Sequence, residues 1–449
     1  MRMRVPRAAL RMRALILGMA ASLSVLLLVL PPGFSQASRS SGGPEPTTVA
    51  AVPQSSSPSA KARPSTASPR SSTPARGVAA HKLSGTPHAP PGATSGRRSI
   101  LGPAPTPVPT GSPSSAFVGR SGTQLTLDGQ PYRFTGINIY MAASGGTPSS
   151  CGGELYPDVG VPLSDMPSGI VFRFWAFQDF FVSDGSFNWT NFDQVLATAA
   201  AHGDKAIPVL AYSGNYCDGP AKDLAWYQSG YRTTVGPGDI VTYRQYVSDV
   251  VARYADNPTV AMWQLVNEGQ ALNDDGTCSE ATALSALLGF SNDVGGLVHT
   301  IDHNHLVSEG TPAGWNGSGL GQWCGAENGD YQTLMASPGT DVCDFHDYGY
   351  PADPMGDPLT PDLNSAIQMC HADDKPIMVA ETGIYAASEA EVAVRATDFM
   401  AKFTAQFQAG VVGEMMWAYA VKPDYVTPAA DPDYSISPGD PSLRVLGTF

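Results

Sequence analysis

The sequence predicts an α/β protein, a single (β/α)8 TIM barrel preceded by a disordered N-terminal region. Eight apolar runs of strand length alternate with helix-length segments from Tyr132 onwards. The runs are continuously apolar, as expected of strands that are covered on both faces in a parallel sheet. A doubly wound open sheet is the alternative. No G-x-G-x-x-G loop opens a helix after the first strand, which argues against a dinucleotide-binding fold.

The sequence of the N-terminal region predicts two segments outside the barrel, a signal peptide and a linker. Residues 1–37 combine an arginine-rich start, an apolar run over 14–30 and a small-residue cleavage site at 35–37, which is typical of a secretory signal peptide. The apolar run is about as long as the shortest membrane spans, so an uncleaved N-terminal anchor is the alternative. Residues 38–115 are rich in Pro, Ser, Thr, Ala and Gly, which predicts a disordered linker. The folded domain is therefore residues 116–449.

The elements of this domain follow from its apolar periodicity. Strands are predicted over residues 132–140, 169–176, 205–211, 260–267, 305–309, 341–346, 376–380 and 411–418. Helices are predicted over residues 191–202, 239–254, 281–301 and 389–408. Ser388 and Glu391 have the spacing of a capping box at the start of the last of these helices. Four prolines follow between residues 423 and 438, and only 441–446 is predicted as a closing short helix.

Charge is distributed unevenly along the chain. Residues 1–115 hold 13 of the 26 Lys and Arg and a single acid, Glu45. The folded domain holds 13 Lys and Arg against 39 Asp and Glu, a net charge of −26. Such a domain repels nucleic acid and anionic lipid and suits a neutral or cationic substrate.

All six cysteines lie in the acidic domain, at 151, 217, 278, 324, 343 and 370. An even number behind a secretory signal predicts disulfides, and six cysteines allow 15 connectivities. We expect a bridge between Cys343 and Cys370, because a strand and its following helix lie side by side. No C-x-x-C pair is present, which argues against a structural zinc site.

Two glutamates close apolar strands. Glu268 follows the run that starts at Val260, and Glu381 follows the run that starts at Pro376. A charged side chain beside a buried strand is costly without a function. Active sites of (β/α)8 barrels lie at the carboxyl ends of the strands, where a pair of carboxylates can face one sugar ring. The other polar and aromatic residues at these ends are Arg173, Asn267, His346, Tyr348 and Trp417.

This arrangement resembles glycoside hydrolase family 5, and most closely its endo-β-1,4-mannanases, over roughly residue 117 to the C-terminus. The resemblance rests on the segments 172–177, 192–203, 254–268, 346–348 and 433–441. Its most specific feature is an order: Asn-Glu ends strand four, Glu ends strand seven and Trp ends strand eight.

The resemblance implies a retaining double displacement. Glu381 would be the nucleophile and Glu268 the general acid and base. It implies supporting roles for the remaining residues. Arg173 and Tyr348 would hydrogen-bond Glu381 and keep it ionised, Asn267 would bind the sugar 2-hydroxyl, His346 would contact substrate or orient Glu268, and Trp417 would stack on the sugar. Tyr140 and Trp175 would line further subsites, with ordinary packing as the alternative. It implies no cofactor and no metal.

The sequence departs from the family after the first glutamate. Gly269 and Gln270 stand where the family commonly has Pro and often Arg, which leaves the substrate open. The alternatives are a β-1,4-glucanase, an exo-acting glycosidase or transglycosylase with one end of its cleft blocked by the loop 142–166, and a non-catalytic carbohydrate-binding barrel. A binding protein has no need of paired acids. We expect a secreted monomer acting on a β-linked polysaccharide or oligosaccharide, tethered to the cell envelope if the N-terminal segment is retained.

Overall fold

The computed structural model describes residues 116–144, 158–214, 218–311, 323–326, 329–348, 361–420 and 434–449. The predicted signal peptide and linker lie outside these residues, as do Cys151, Cys217 and most of the loop 142–166. Within the described residues, no helix is long and apolar enough to cross a membrane.

The chain enters the barrel through a small antiparallel meander that the sequence patterns do not predict. It consists of β1 (Val118–Ser121), β2 (Gln124–Leu127) and β3 (Gln130–Tyr132). Its buried Val118 and Leu125 join a cluster formed by side chains near the amino ends of the barrel strands, such as Phe134 and Val171. The meander therefore covers the end of the barrel opposite the predicted site.

The predicted barrel is confirmed. Its strands in chain order are β4 (Phe134–Asn138), β5 (Val171–Trp175), β8 (Lys205–Val209), β9 (Met262–Gln264), β10 (Leu306–Ser308), β11 (Cys343–Asp347), β12 (Ile377–Thr382) and β13 (Gly413–Met416). They form one eight-stranded parallel sheet in the order β10-β9-β8-β5-β4-β13-β12-β11. A parallel bridge between Ser308 and Val342 joins its two edges. A short antiparallel hairpin follows β5; its strands, β6 (Val182–Ser183) and β7 (Ser186–Phe187), have two residues each.

The four predicted helices are present as α2 (Thr190–His202), α4 (Tyr243–Tyr254), α5 (Glu280–Ile301) and α8 (Glu389–Ala409), with α4 beginning at 243 rather than at 239. A further long helix, α7 (Pro361–Ala372), follows β11. The short ones are α1 (Gly160–Leu163), α3 (Tyr231–Thr233) and α6 (Gly329–Met335). Ser388 caps α8 by accepting from the Glu391 N–H, and Glu391 accepts from the N–H of Ala387 rather than that of Ser388. The closing helix is a 3-10 turn over Pro441–Arg444, shorter than predicted.

Two disulfides lie within the described residues. Cys343–Cys370 joins β11 to α7, which confirms that predicted bridge. Cys278–Cys324 joins the start of α5 to the loop before α6. Gly295, within α5, allows the helix to approach the chain before β11: a Cβ there would lie 1.9 Å from the carbonyl oxygen of Gly339. Covalent and close backbone contacts thus fix the helical layer beside β11.

Candidate active site

Strand register brings the predicted residues together at the carboxyl ends of the strands. Asn138 of β4 lies beside Arg173 of β5. His346 of β11 lies beside Glu381 of β12, next to an irregularity in register between Phe345 and His346. Such irregularities re-aim side chains, and they are frequent beside active sites.

Arg173 is fully buried, and all three of its side-chain nitrogens donate hydrogen bonds. Its Nη1 lies 2.8 Å from Glu381 Oε1 and 2.9 Å from Asn138 Oδ1. Its Nη2 donates to Asn267 Oδ1, and its Nε lies 2.7 Å from Gln264 Oε1. A guanidinium that is bound on every side has one orientation, and it fixes the carboxylate that it contacts.

Glu381 receives a second hydrogen bond on its other oxygen. The hydroxyl of Tyr348 donates to Oε2 at 2.5 Å. Burial raises the pKa of Glu381, and the neighbouring His346, Arg173 and Tyr348 counter that effect. Glu381 is thereby positioned through both oxygens, with a cation against one of them.

Glu268 has a different environment. It lies a few residues after β9, and its backbone is left-handed, with φ 55°. Its N–H donates to the carbonyl of Gly310 at 2.9 Å. Burial raises the pKa of Glu268 to about 7, and Arg173 opposes the shift only through space. Its side chain keeps 14% of its surface exposed, against 3% for Glu381. The two carboxyl groups therefore differ in access and in the hydrogen bonds that hold them.

His346 lies between the two glutamates. Its Nδ1 is 3.2 Å from Glu268 Oε1 and 3.5 Å from Glu381 Oε2. Burial lowers the pKa of His346 to about 4, so the ring is neutral near pH 7. A carboxylate oxygen of Glu268 lies within 4.8 Å of one of Glu381. A neutral histidine can hold this pair together without adding charge.

The three aromatic residues predicted to contact sugar, Tyr140, Trp175 and Trp417, differ in what they can contact. Trp175 is buried, and its ring centroid lies 4.9 Å from Arg173 Cζ, so it packs against the guanidinium. Trp417 is partly exposed, and Tyr140 stacks on it with ring centroids 5.3 Å apart and planes 11° apart. Trp417 and Tyr140 form an accessible aromatic surface, whereas Trp175 supports the polar centre.

The donor set favours acid–base chemistry over a metal centre. Glu268, His346 and Glu381 each offer one ligand-type atom within 4.8 Å of the others. However, both oxygens of Glu381 are engaged, one of them by the Arg173 guanidinium, whose positive charge disfavours an adjacent cation.

Sequence reasoning missed three residues of this centre. Asn138 ends β4, and its Nδ2 donates to the carbonyls of Ala380 and Met416, which links Arg173 to two neighbouring strands. Gln264 and Asp344 lie deeper in the barrel and form a hydrogen bond with each other. A polar residue within an apolar strand run is the signal that would have revealed all three.

Gly269, which follows the first glutamate, lies where a side chain would be crowded. A Cβ at this position would lie 2.9 Å from Val266 Cγ1, 3.0 Å from Thr311 Oγ1 and 3.2 Å from Glu309 Oε1. The hydroxyl of Thr311 donates to Glu309 and to the carbonyl of Gly269. Side chains that follow β9 and β10 therefore crowd any Cβ at position 269.

Comparisons with known proteins agree with this geometry. No protein-family model matches the chain. The chain is 25% identical over 272 residues to the probable mannan endo-1,4-beta-mannosidase C of Aspergillus terreus, covering 52% of this chain and 64% of that protein. It is 27% identical over 317 residues to mannan endo-1,4-beta-mannosidase 7 of Arabidopsis thaliana, covering 60% of this chain and 69% of that protein. The chain thus spans under two thirds of the first of these relatives.

Solved structures show the same fold. An endo-1,4-beta-mannanase from Rhizomucor miehei superposes with a TM-score of 0.55 at 21% identity, covering 73% of this chain and 96% of that one. A glycoside hydrolase family 5 mannosidase from Rhizomucor miehei gives 0.52 at 17% identity, covering 74% and 96%. The predicted resemblance to endo-β-1,4-mannanases is confirmed by the relatives matched in sequence, and the solved structures confirm the barrel fold.

Proposed function

We propose that the protein is a retaining β-glycoside hydrolase that cleaves a β-linked polysaccharide, with endo-β-1,4-mannanase activity. The observation that carries the proposal is the spacing of the two carboxylates, whose nearest oxygens are within 4.8 Å. Retaining enzymes hold their carboxyl groups ~5–5.5 Å apart, and inverting enzymes hold them ~6.5–9.5 Å apart. A nearest-oxygen distance below 4.8 Å agrees better with the shorter, retaining separation.

In the first step, Glu381 attacks the anomeric carbon while Glu268 protonates the departing glycosidic oxygen. The fixed, cation-paired Glu381 suits attack, and the raised pKa of Glu268 suits proton donation near pH 7. In the second step, Glu268 takes a proton from water, the water oxygen attacks the anomeric carbon, and the bond to Glu381 breaks. Asn267 is oriented by Arg173 toward the sugar 2-hydroxyl, and Trp417 stacks on the ring.

Mannan is the proposed substrate because the relatives found by sequence are named for that activity. A panel of mannan, glucomannan, cellulose, xylan and laminarin with product sizing tests this choice. We expect internal cleavage of mannan and glucomannan. Release of single sugars from chain ends would indicate an exo-acting enzyme, and faster cleavage of cellulose would indicate a glucanase. Binding without cleavage would identify a carbohydrate-binding barrel.

Two variants test the assignment of roles. Glu381→Ala and Glu268→Ala are each expected to lower kcat/KM on polymer by at least ~100-fold. Azide added to Glu268→Ala should yield a glycosyl azide with retained configuration, because azide replaces the water of the second step. Azide added to Glu381→Ala should yield the inverted azide, because it replaces the nucleophile. The exposed Glu389 is the control: Glu389→Ala should match the wild type. Full activity in both active-site variants would refute the proposal.

We also propose that residues 116–449 are the catalytic domain of an exported protein. The signal-like segment 1–37 and the two disulfides of the described residues support export. Mass spectrometry of protein from the culture medium tests it: a mature chain that begins near residue 38 is expected. A chain that retains residues 14–30 in the membrane fraction would identify an anchor instead.

A further inference from the structure

We propose that Asp344 is a positioning residue for the reaction, because through Gln264 it sets the orientation of Arg173 and therefore of Glu381. This inference rests on the proposed function, in which Glu381 is the nucleophile. Asp344 lies on β11 and Gln264 on β9, both buried inside the barrel. Gln264 lies one hydrogen bond from the Arg173 guanidinium, and Asp344 lies two.

The argument starts from the directionality of the Gln264 amide. Arginine has only donors, so its Nε–H requires an acceptor, and Gln264 Oε1 supplies it at 2.7 Å. With its oxygen committed to Arg173, the amide must point its NH2 group the other way. That group donates to Asp344 Oδ2. A turned amide would direct N–H groups at the N–H of Arg173 and lose both hydrogen bonds.

Asp344 supplies the acceptor that holds the amide in this orientation. Its Oδ2 also accepts from the Ser308 hydroxyl at 3.3 Å, so the carboxyl group is tied to a third strand. An oxygen acceptor at this position is needed whichever protonation state the group adopts. The chain Asp344–Gln264–Arg173–Glu381 therefore spans four barrel strands and ends at the nucleophile.

The placement of Asp344 is costly for stability. It is fully buried, its Oδ1 has no hydrogen-bond partner among the described residues, and burial raises its pKa to about 8. An apolar side chain of similar size would avoid the desolvation penalty. A residue that destabilises the fold while orienting a reactive group is typical of a functional centre.

The test uses purified full-length variants and a β-mannoside substrate. Asp344→Leu removes the acceptor, and we expect kcat to fall about 10²-fold with little change in KM, because a small misplacement of reacting groups has this effect. Asp344→Asn keeps an acceptor oxygen and should recover most of the lost activity. Ser308→Ala touches the same carboxyl oxygen but not Gln264, and serves as the control, with kcat within about threefold.

A double-variant comparison separates positioning from general packing. Gln264→Met removes the middle of the chain and should lower kcat as Asp344→Leu does, with no further loss when the two are combined. If Asp344→Leu does not fold, Gln264→Met and Asp344→Asn carry the test. Additive losses, or kcat in Asp344→Leu within threefold of the wild type, would overturn the inference. The proposed function fails separately, if the wild type cleaves no β-glycoside or if Glu381→Ala is fully active.

Discussion

Replacing Glu268 with glutamine should stabilise the fold at neutral and alkaline pH. Burial raises the pKa of this carboxyl from 4.5 to about 7. Each pKa unit corresponds to 1.36 kcal/mol, so keeping the group ionised in the folded state costs about 3 kcal/mol above pH 7. Glutamine has nearly the same shape and no charge to desolvate.

The direction in which this stability difference changes with pH follows from proton binding. The folded pKa lies above the unfolded value, so between about pH 4.5 and 7 the folded wild type binds more protons than the unfolded chain. Wild-type stability therefore falls as pH rises through this window, and the contribution of Glu268 is fully lost above it. Glutamine does not titrate. The unfolding free energy of Glu268→Gln minus that of the wild type should grow by about 3 kcal/mol between pH 4 and pH 8.

Reversible urea unfolding of both proteins at pH 4, 6 and 8 measures this difference. Buried acids that Glu268 does not influence, such as Glu309 and Asp344, cancel because they are common to both proteins. Glu389→Gln at the exposed start of α8 is the control and should stay within about 0.5 kcal/mol of the wild type at every pH. A difference that is constant with pH, or that grows toward acid, would refute the reasoning.

Three further outcomes are expected. Arg173→Lys should lower kcat/KM about 10²–10³-fold in steady-state assays, because one ammonium cannot replace donors on three nitrogens. The kcat/KM for polymer should decline as pH rises through about 7, where Glu268 loses its proton, and Glu268→Gln should lose that limb with an activated aryl substrate. Gly310→Ala should lower the unfolding free energy by at least about 2 kcal/mol, since φ is +92° and a Cβ would lie 1.8 Å from the Val266 carbonyl oxygen. Gly276→Ala is the matched control: Gly276 also has a positive φ, but a Cβ there meets no atom, so the unfolding free energy should fall by only about 1–2 kcal/mol.

The barrel strands could be predicted because each is buried on both faces and reads as one apolar run. The run before Glu381 is an example, since every residue of β12 is buried. The entry meander could not be predicted in this way. Its strands are three or four residues long and bury little besides Val118 and Leu125, so they carry no clear periodic signal.

The two glutamates could be predicted because a charge at a strand end stands out against apolar neighbours. Their supporting residues depend on which face of each strand lines the barrel interior, and on the register between strands. Gln264 and Asp344 lie 80 positions apart in sequence, and only the closed sheet brings them into contact. The left-handed backbone of Glu268 and the crowding at Gly269 likewise involve residues that follow β10, namely Gly310 and Glu309.

The stereochemistry of the first product tests the paired-carboxylate account most directly. Proton NMR can follow the anomeric signals during rapid hydrolysis of a β-linked mannooligosaccharide, before mutarotation equilibrates them. A double displacement by Glu381 and Glu268 predicts that the β-anomer appears first. Initial formation of the α-anomer would mean that water attacks directly, and it would contradict the assignment of Glu381 as the nucleophile.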